Sequence, residues 1–144
     1  MDRPQFYYRD GKPILADEMM GATLKWALLF ENEPRTVHKT LTPYGESLST
    51  VFLGLDHNFS HQGPPLIFET MLFAPRKANP KIRGEWEAED KTIRTLFPHD
   101  QLQIRYSHED EAKERHEALM LQCLFPPRWR RFLFYTIGQD DTWS

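Results

Sequence analysis

The sequence predicts an α+β domain: a small antiparallel sheet of three or four strands, a long helix from the C-terminal half packed across it, and a second helix near the N-terminus. Two stretches, one towards each end, repeat their apolar residues at three- and four-residue steps, the spacing of one helix face. Between them lie short runs of β-branched and apolar residues separated by Pro, Gly and Asn, the punctuation of paired strands. A chain of 144 residues has the size of a single domain, in which folding removes roughly two-thirds of the surface that the unfolded chain exposes.

Residues 5–14 alternate aromatic and polar groups around Asp10-Gly11, a dipeptide that favours tight turns, so a short hairpin or ordered arm is expected. Over residues 16–31, Met19, Met20, Leu24, Ala27 and Leu28 share one helix face; Asp17 and Glu18 suit its start, and Pro34 prevents its continuation. Strands fill residues 36–73. Thr36 to Leu41 and Ser47 to Leu55 pair across the turn Thr42-Pro43-Tyr44-Gly45, and Leu66 to Phe73, an apolar run broken only by Glu69 and Thr70, supplies a third strand.

Residues 75–100 carry three prolines and alternating charges, and are read as a long irregular excursion with a short helical turn near Glu85 to Thr92. A strand pattern resumes over 101–106. Ser107 then stands as a helix N-cap before an acidic first turn, opening a helix over 108–124. Its stripe Ala112, His116, Leu119 and Cys123 is expected to face the sheet. Pro126 and Pro127 end it, leaving residues 126–144 as a C-terminal extension.

Composition excludes several function classes. With a formal charge of −3 there is no global positive field to draw the chain to phosphate backbones or anionic membranes. Cys123 is the only cysteine, which rules out an intramolecular disulfide and a cysteine-rich zinc module. No apolar run approaches the roughly 18 residues of a membrane span, and the opening residues lack the pattern of a signal peptide. The expected location is cytoplasmic.

Three segments carry a resemblance. STVFLGLDHNF over residues 49–59, PPLIFETMLF over 64–73 and RYSHEDEAKERHE over 105–117 resemble a family of small proteins carried by bacteriophages and prophages. The resemblance runs from near Arg35 to Phe73 and from Arg105 into the following helix; the 75–100 stretch and the tail after Pro126 depart from it. It implies action inside an infected bacterium or within a virion, and it carries over no biochemical role.

Glu69 is the first candidate catalytic residue. Strand alternation places it with Ile67, Met71 and Phe73, opposite Leu66, Phe68 and Leu72, and a carboxylate there calls for a partner in Arg105 or His116. A Glu69–His116 contact would make an acid–base pair; the blander expectation is a satisfied structural network of Glu69, Arg105 and His116. Asp56 and His57 lie beside a loop that also holds His61, which makes His57 and His61 weak candidate metal ligands, without any complete zinc-enzyme signature. The run His108, Glu109, Asp110 and Glu111 resembles a chelating cluster, but a helix dipole attracts acidic groups to the same place. Cys123, on an apolar stripe, reads as inert core.

Arg128, Trp129, Arg130 and Arg131, followed by Phe132, combine cations with aromatics as single-strand nucleic-acid binders do, and equally suit an anchor for a protein partner. The leading expectation is therefore a non-enzymatic, macromolecule-binding accessory protein with no cofactor, whose partner is a host or phage protein; nucleic acid is less favoured. The alternatives are a metal-assisted or acid–base enzyme built from Asp56, His57, Glu69 and His116, and a minor virion component.

Overall fold

The computed structural model describes residues 3–16, 18–75 and 102–130, apart from the side chains of Met19 and Asn32. The expected excursion beyond Pro75 and the tail from Arg131 onwards lie outside these residues.

Four strands, β1 (Thr36–Leu41), β2 (Ser47–Phe52), β3 (Phe68–Phe73) and β4 (Leu102–Tyr106), form an antiparallel sheet in the order β1-β2-β3-β4. Helix α1 spans Met19–Asn32 and helix α2 spans Glu109–Gln122, followed by a 3-10 turn at Pro127–Trp129. The expected α+β architecture is the observed one. β1 has the expected bounds, whereas β2 stops three residues early because Gly54, at φ +67°, turns the chain out of the sheet. The amides of Leu53 and Gly54 both turn to the Ile67 carbonyl, at 2.7 and 3.3 Å, so the ladder closes there.

Alternation decides what each strand buries. Leu48, Thr50 and Phe52 of β2, Phe68, Thr70 and Leu72 of β3, and Ile104 and Tyr106 of β4 are all buried. On α2 the stripe Ala112, His116 and Leu119, continued by Cys123, is fully buried, as the four-three-four spacing requires. Each large apolar side chain removed from water contributes roughly 1.5–3 kcal/mol, so this layer carries most of the driving force for folding. The helix N-cap differs from expectation: it is His108, with no side-chain capping bond, and Ser107 is buried one residue earlier. Glu109, Asp110 and Glu111 still fill the first turn and favour the positive end of the helix dipole.

The N-terminal hairpin is present. Gly11, at φ +90°, makes the turn, and Ile14 donates to the Phe6 carbonyl at 2.8 Å. Tyr7 then donates to Gly54 at 2.7 Å and Asp56 to Gln5 at 2.8 Å, which fixes the arm beside the exit from β2. The arm brings Phe6 onto Trp26, the first contact in an aromatic chain through Phe30 and Phe52 to Phe68, with successive ring centroids 5.2, 5.6, 5.8 and 5.2 Å apart.

That chain settles how α1 sits. Trp26, Leu29 and Phe30 turn inward, and the Trp26 indole N–H donates to the Leu53 carbonyl at 2.9 Å. The stripe read from the sequence points the other way: Met20, Leu24 and Leu28 are 78%, 59% and 46% exposed. The helix is apolar on two sides, and the side with two aromatic rings and an indole donor gains more by burial than the aliphatic one. No helix among the described residues is long and apolar enough to cross a membrane.

Candidate functional site

Glu69 lies on the sheet face away from α2. Its cross-strand neighbour is Arg105, whose Nε donates to Glu69 Oε2 at 3.1 Å, and Gln103 Nε2 donates to the same oxygen at 2.7 Å. Of the two partners expected for this carboxylate, Arg105 or His116, Arg105 is the one present, because the β3–β4 register sets it directly opposite. His116 is not. An odd-numbered strand position and a core-facing helix position occupy opposite faces of the sheet, so no Glu69–His116 dyad exists.

His116 is fully buried under the sheet, between hydroxyls that the sequence reading did not single out. Its Nδ1 lies 2.7 Å from Thr50 Oγ1 and its Nε2 lies 2.9 Å from Thr40 Oγ1, while Thr50 Oγ1 is 2.5 Å from Thr70 Oγ1. Burial, and then the neighbouring His38 whose ring centroid is 4.2 Å away, push the imidazole down to about 4. A neutral ring has one donor and one acceptor nitrogen, and a hydroxyl can serve either, so both nitrogens are satisfied. Tyr106, on β4, has a buried hydroxyl without a hydrogen bond of good geometry among the described residues. Burial pushes it up to about 12, with the Thr70 hydroxyl acting in the opposite direction. The threonines read as strand formers in sequence; that Thr50 and Thr70 face each other emerges only with the β2–β3 register of the fold.

Asp56 organises the loop after β2. Its Oδ1 accepts from the amides of Asn58 at 2.8 Å and Leu66 at 3.0 Å, and its Oδ2 accepts from Arg3 Nε at 2.8 Å. Asn58 extends the scaffold, donating from Nδ2 to the carbonyls of Gln62 and Pro64 at 2.6 and 3.0 Å. A carboxylate so engaged has little capacity left for a metal or a substrate proton. His57 donates from Nδ1 to the Leu55 carbonyl at 2.8 Å, and His61 is exposed at φ +59°. Among the described residues no three His, Cys, Asp or Glu side chains are grouped to hold a metal ion. Asp56, His57, Glu69 and His116 therefore belong to three separate environments: a loop scaffold, an outer sheet face and the core.

The run at the start of α2 is held by charge pairing, with Arg9 Nε donating to Glu109 Oε1 at 2.6 Å and Lys113 3.5 Å from Glu109 Oε2. Arg9, Asp10, His108, Glu109 and Asp110 line a cavity of about 420 Å³ there, of mixed charge. The Arg–Trp cluster is divided. Arg128 and Trp129 are exposed, Arg130 is buried against Glu46, and Arg131 and Phe132 lie outside the described residues. A guanidinium enclosed by its own carboxylate cannot hold a phosphate, which removes Arg130 from the expected binding patch. Cys123 is buried and its thiol is pushed up to about 11 by desolvation, consistent with inert core.

Among the described residues, exposed apolar side chains include the outer face of α1, Met20, Leu24, Ala27 and Leu28, with Leu15 68% exposed just before the helix, and a second group at the end of α2 and after it, Leu121, Leu124, Phe125 and Trp129. No family model, curated protein or solved structure matches the chain.

Proposed function

We propose that the chain is a phage- or prophage-encoded accessory protein that acts in the cytoplasm of the host as a non-enzymatic binding module, docking a protein partner on the outward face of α1. The observation that carries this reading is the exposure of Met20, Leu24 and Leu28 at successive four-residue steps on a helix whose opposite side is already packed. Exposed apolar residues scattered singly are ordinary; a continuous helical stripe of them is the surface that amphipathic recognition uses. The phage setting rests on the resemblance of residues 49–59, 64–73 and 105–117. Nucleic acid is the less favoured ligand, given a net charge of −3 and the engagement of Arg130 with Glu46.

Capture from infected and uninfected bacterial lysate, with tagged wild-type protein beside its Leu24→Asp variant, tests the reading. A stoichiometric protein retained by the wild type and released by the variant is the expected result. Equal capture by both, or no capture together with a metal-dependent activity lost on His57→Ala, would overturn it in favour of the enzyme. A symmetric oligomer as the stable form in solution would favour a virion component instead.

A further inference from the structure

We infer that the partner of α1 is an amphipathic helical segment of another protein, with lysine or arginine at both ends of its apolar stripe, and that it is not a second copy of this chain. This rests on the docking reading of α1 given above.

The charge at the two ends of the stripe is net negative, with Arg35 stacked over the Phe30 ring at 4.0 Å on the packed side of the helix. Glu18 stands at the N-terminal end and Glu31 and Glu33 at the C-terminal end; all three are exposed, and none forms an ion pair among the described residues. Lys25 is the one cation of the helix, and its Nζ donates to the Leu15 carbonyl at 3.0 Å. Helix stability accounts for Glu18, which complements the positive end of the dipole. It does not account for Glu31 and Glu33, which add negative charge at the end that is already negative. A cation supplied by a partner would relieve these acids.

Charge complementarity selects the occupant. Laid parallel, two copies of α1 would set Glu18 against Glu18 and Glu31 against Glu31; laid antiparallel, they would set Glu18 against Glu31 and Glu33. Both arrangements oppose like charges at each end of the apolar contact, which disfavours a homodimer through this face. An anionic lipid surface meets the same repulsion. A segment with basic ends relieves both, while its leucine-type side chains cover Met20, Leu24, Ala27 and Leu28.

The test uses the purified full chain and two synthetic helical peptides, each with leucines at positions 5, 9, 12 and 16, one ending in lysine pairs and the other in glutamate pairs. Binding is read by fluorescence anisotropy at low and high salt. The lysine-ended peptide is expected to bind at least about ten-fold tighter at low salt, with the advantage shrinking as salt screens it. The double variant Glu31→Lys, Glu33→Lys is expected to remove most of the preference, and Leu24→Asp to abolish binding of both peptides. If both peptides bind equally and Leu24→Asp abolishes both, the basic-partner inference fails while the docking face stands. If neither peptide binds, or Leu24→Asp changes nothing, the docking face itself is overturned. A dimer in solution that Leu24→Asp dissociates would show that a second copy is the occupant and would overturn the inference.

Discussion

Arg130 closes on Glu46 through two hydrogen bonds, Nη1 to Oε2 at 2.6 Å and Nη2 to Oε1 at 2.5 Å, with the two side chains 0% and 1% exposed. Arg130 Nε also donates to the Phe125 carbonyl at 3.0 Å, and Thr42 Oγ1 donates to Glu46 Oε1 at 3.0 Å. The pair thus joins the β1–β2 turn to the chain that follows α2. Removing one partner strands the other charge out of water, which costs about 3–5 kcal/mol. Arg130→Met is expected to lower stability by that amount in urea unfolding, and Arg130→Lys to rescue little, since an ammonium cannot match the carboxylate through a fork. The double variant Glu46→Met, Arg130→Met should recover most of the loss. A single-variant cost under about 1 kcal/mol would mean that the clamp is dispensable.

His116 makes stability depend on pH in a known direction. Unfolded, its imidazole takes a proton near 6.5; folded, burial and His38 hold it near 4. Between those values the unfolded chain binds more protons, so stability is full above pH 6.5 and is lost as pH falls towards 4. The interval corresponds to up to roughly 3 kcal/mol. Urea midpoints at pH 7 and pH 4.5 should therefore separate widely for the wild type and less for His116→Gln. An identical separation for both would assign the acid sensitivity to other groups.

Local pattern was legible where one periodicity acted alone. The bounds of β1, the Asp10-Gly11 turn and the buried stripe through Ala112, His116, Leu119 and Cys123 all followed from spacing and turn chemistry. The burial cost of the Glu69 carboxylate called for a partner, and Arg105, one of the two expected, supplies it. Pattern failed where two readings competed or where the partner was distant. α1 is apolar on two sides, so spacing defined a stripe without saying which one faces in. His116 finds Thr50 and Thr40 at sequence separations of 66 and 76, and Arg130 finds Glu46 at 84. Read locally, Arg130 belongs to an Arg–Trp cluster; only the tertiary fold makes it half of a buried pair.

Gly54 shows how closely α1 is fitted to the exit from β2. At φ +67° its backbone is in the left-handed region, and an added Cβ would lie 2.7 Å from Trp26 Nε1. Gly54→Ala must therefore strain the backbone and displace the indole from its 2.9 Å hydrogen bond to Leu53. Gly11, at φ +90° with nothing within 4 Å of the added atom, isolates the backbone contribution. Gly11→Ala is expected to cost about 1 kcal/mol and Gly54→Ala at least about 2 kcal/mol more. The Trp26 indole N–H resonance should shift only in the latter. Equal costs would show that Trp26 yields freely.

The orientation of α1 can be tested apart from any partner. Leu24 is 59% exposed, whereas Leu29, five residues on, packs against the core beside Phe30. Asp replaces the same side chain at both positions and has the same modest helix propensity, so the two costs differ by burial. Leu24→Asp is expected to change the unfolding free energy by less than about 1 kcal/mol. Leu29→Asp must desolvate a carboxylate or expel it with the helix, at a cost of at least about 2 kcal/mol. If Leu24→Asp is the more damaging change, the Met20–Leu24–Leu28 stripe is the buried face of the helix. Loss of partner binding by that variant would then report unfolding rather than a docking surface. If the expected order holds, a Leu24→Asp protein that keeps its unfolding midpoint and loses its partner separates binding from folding at a single residue.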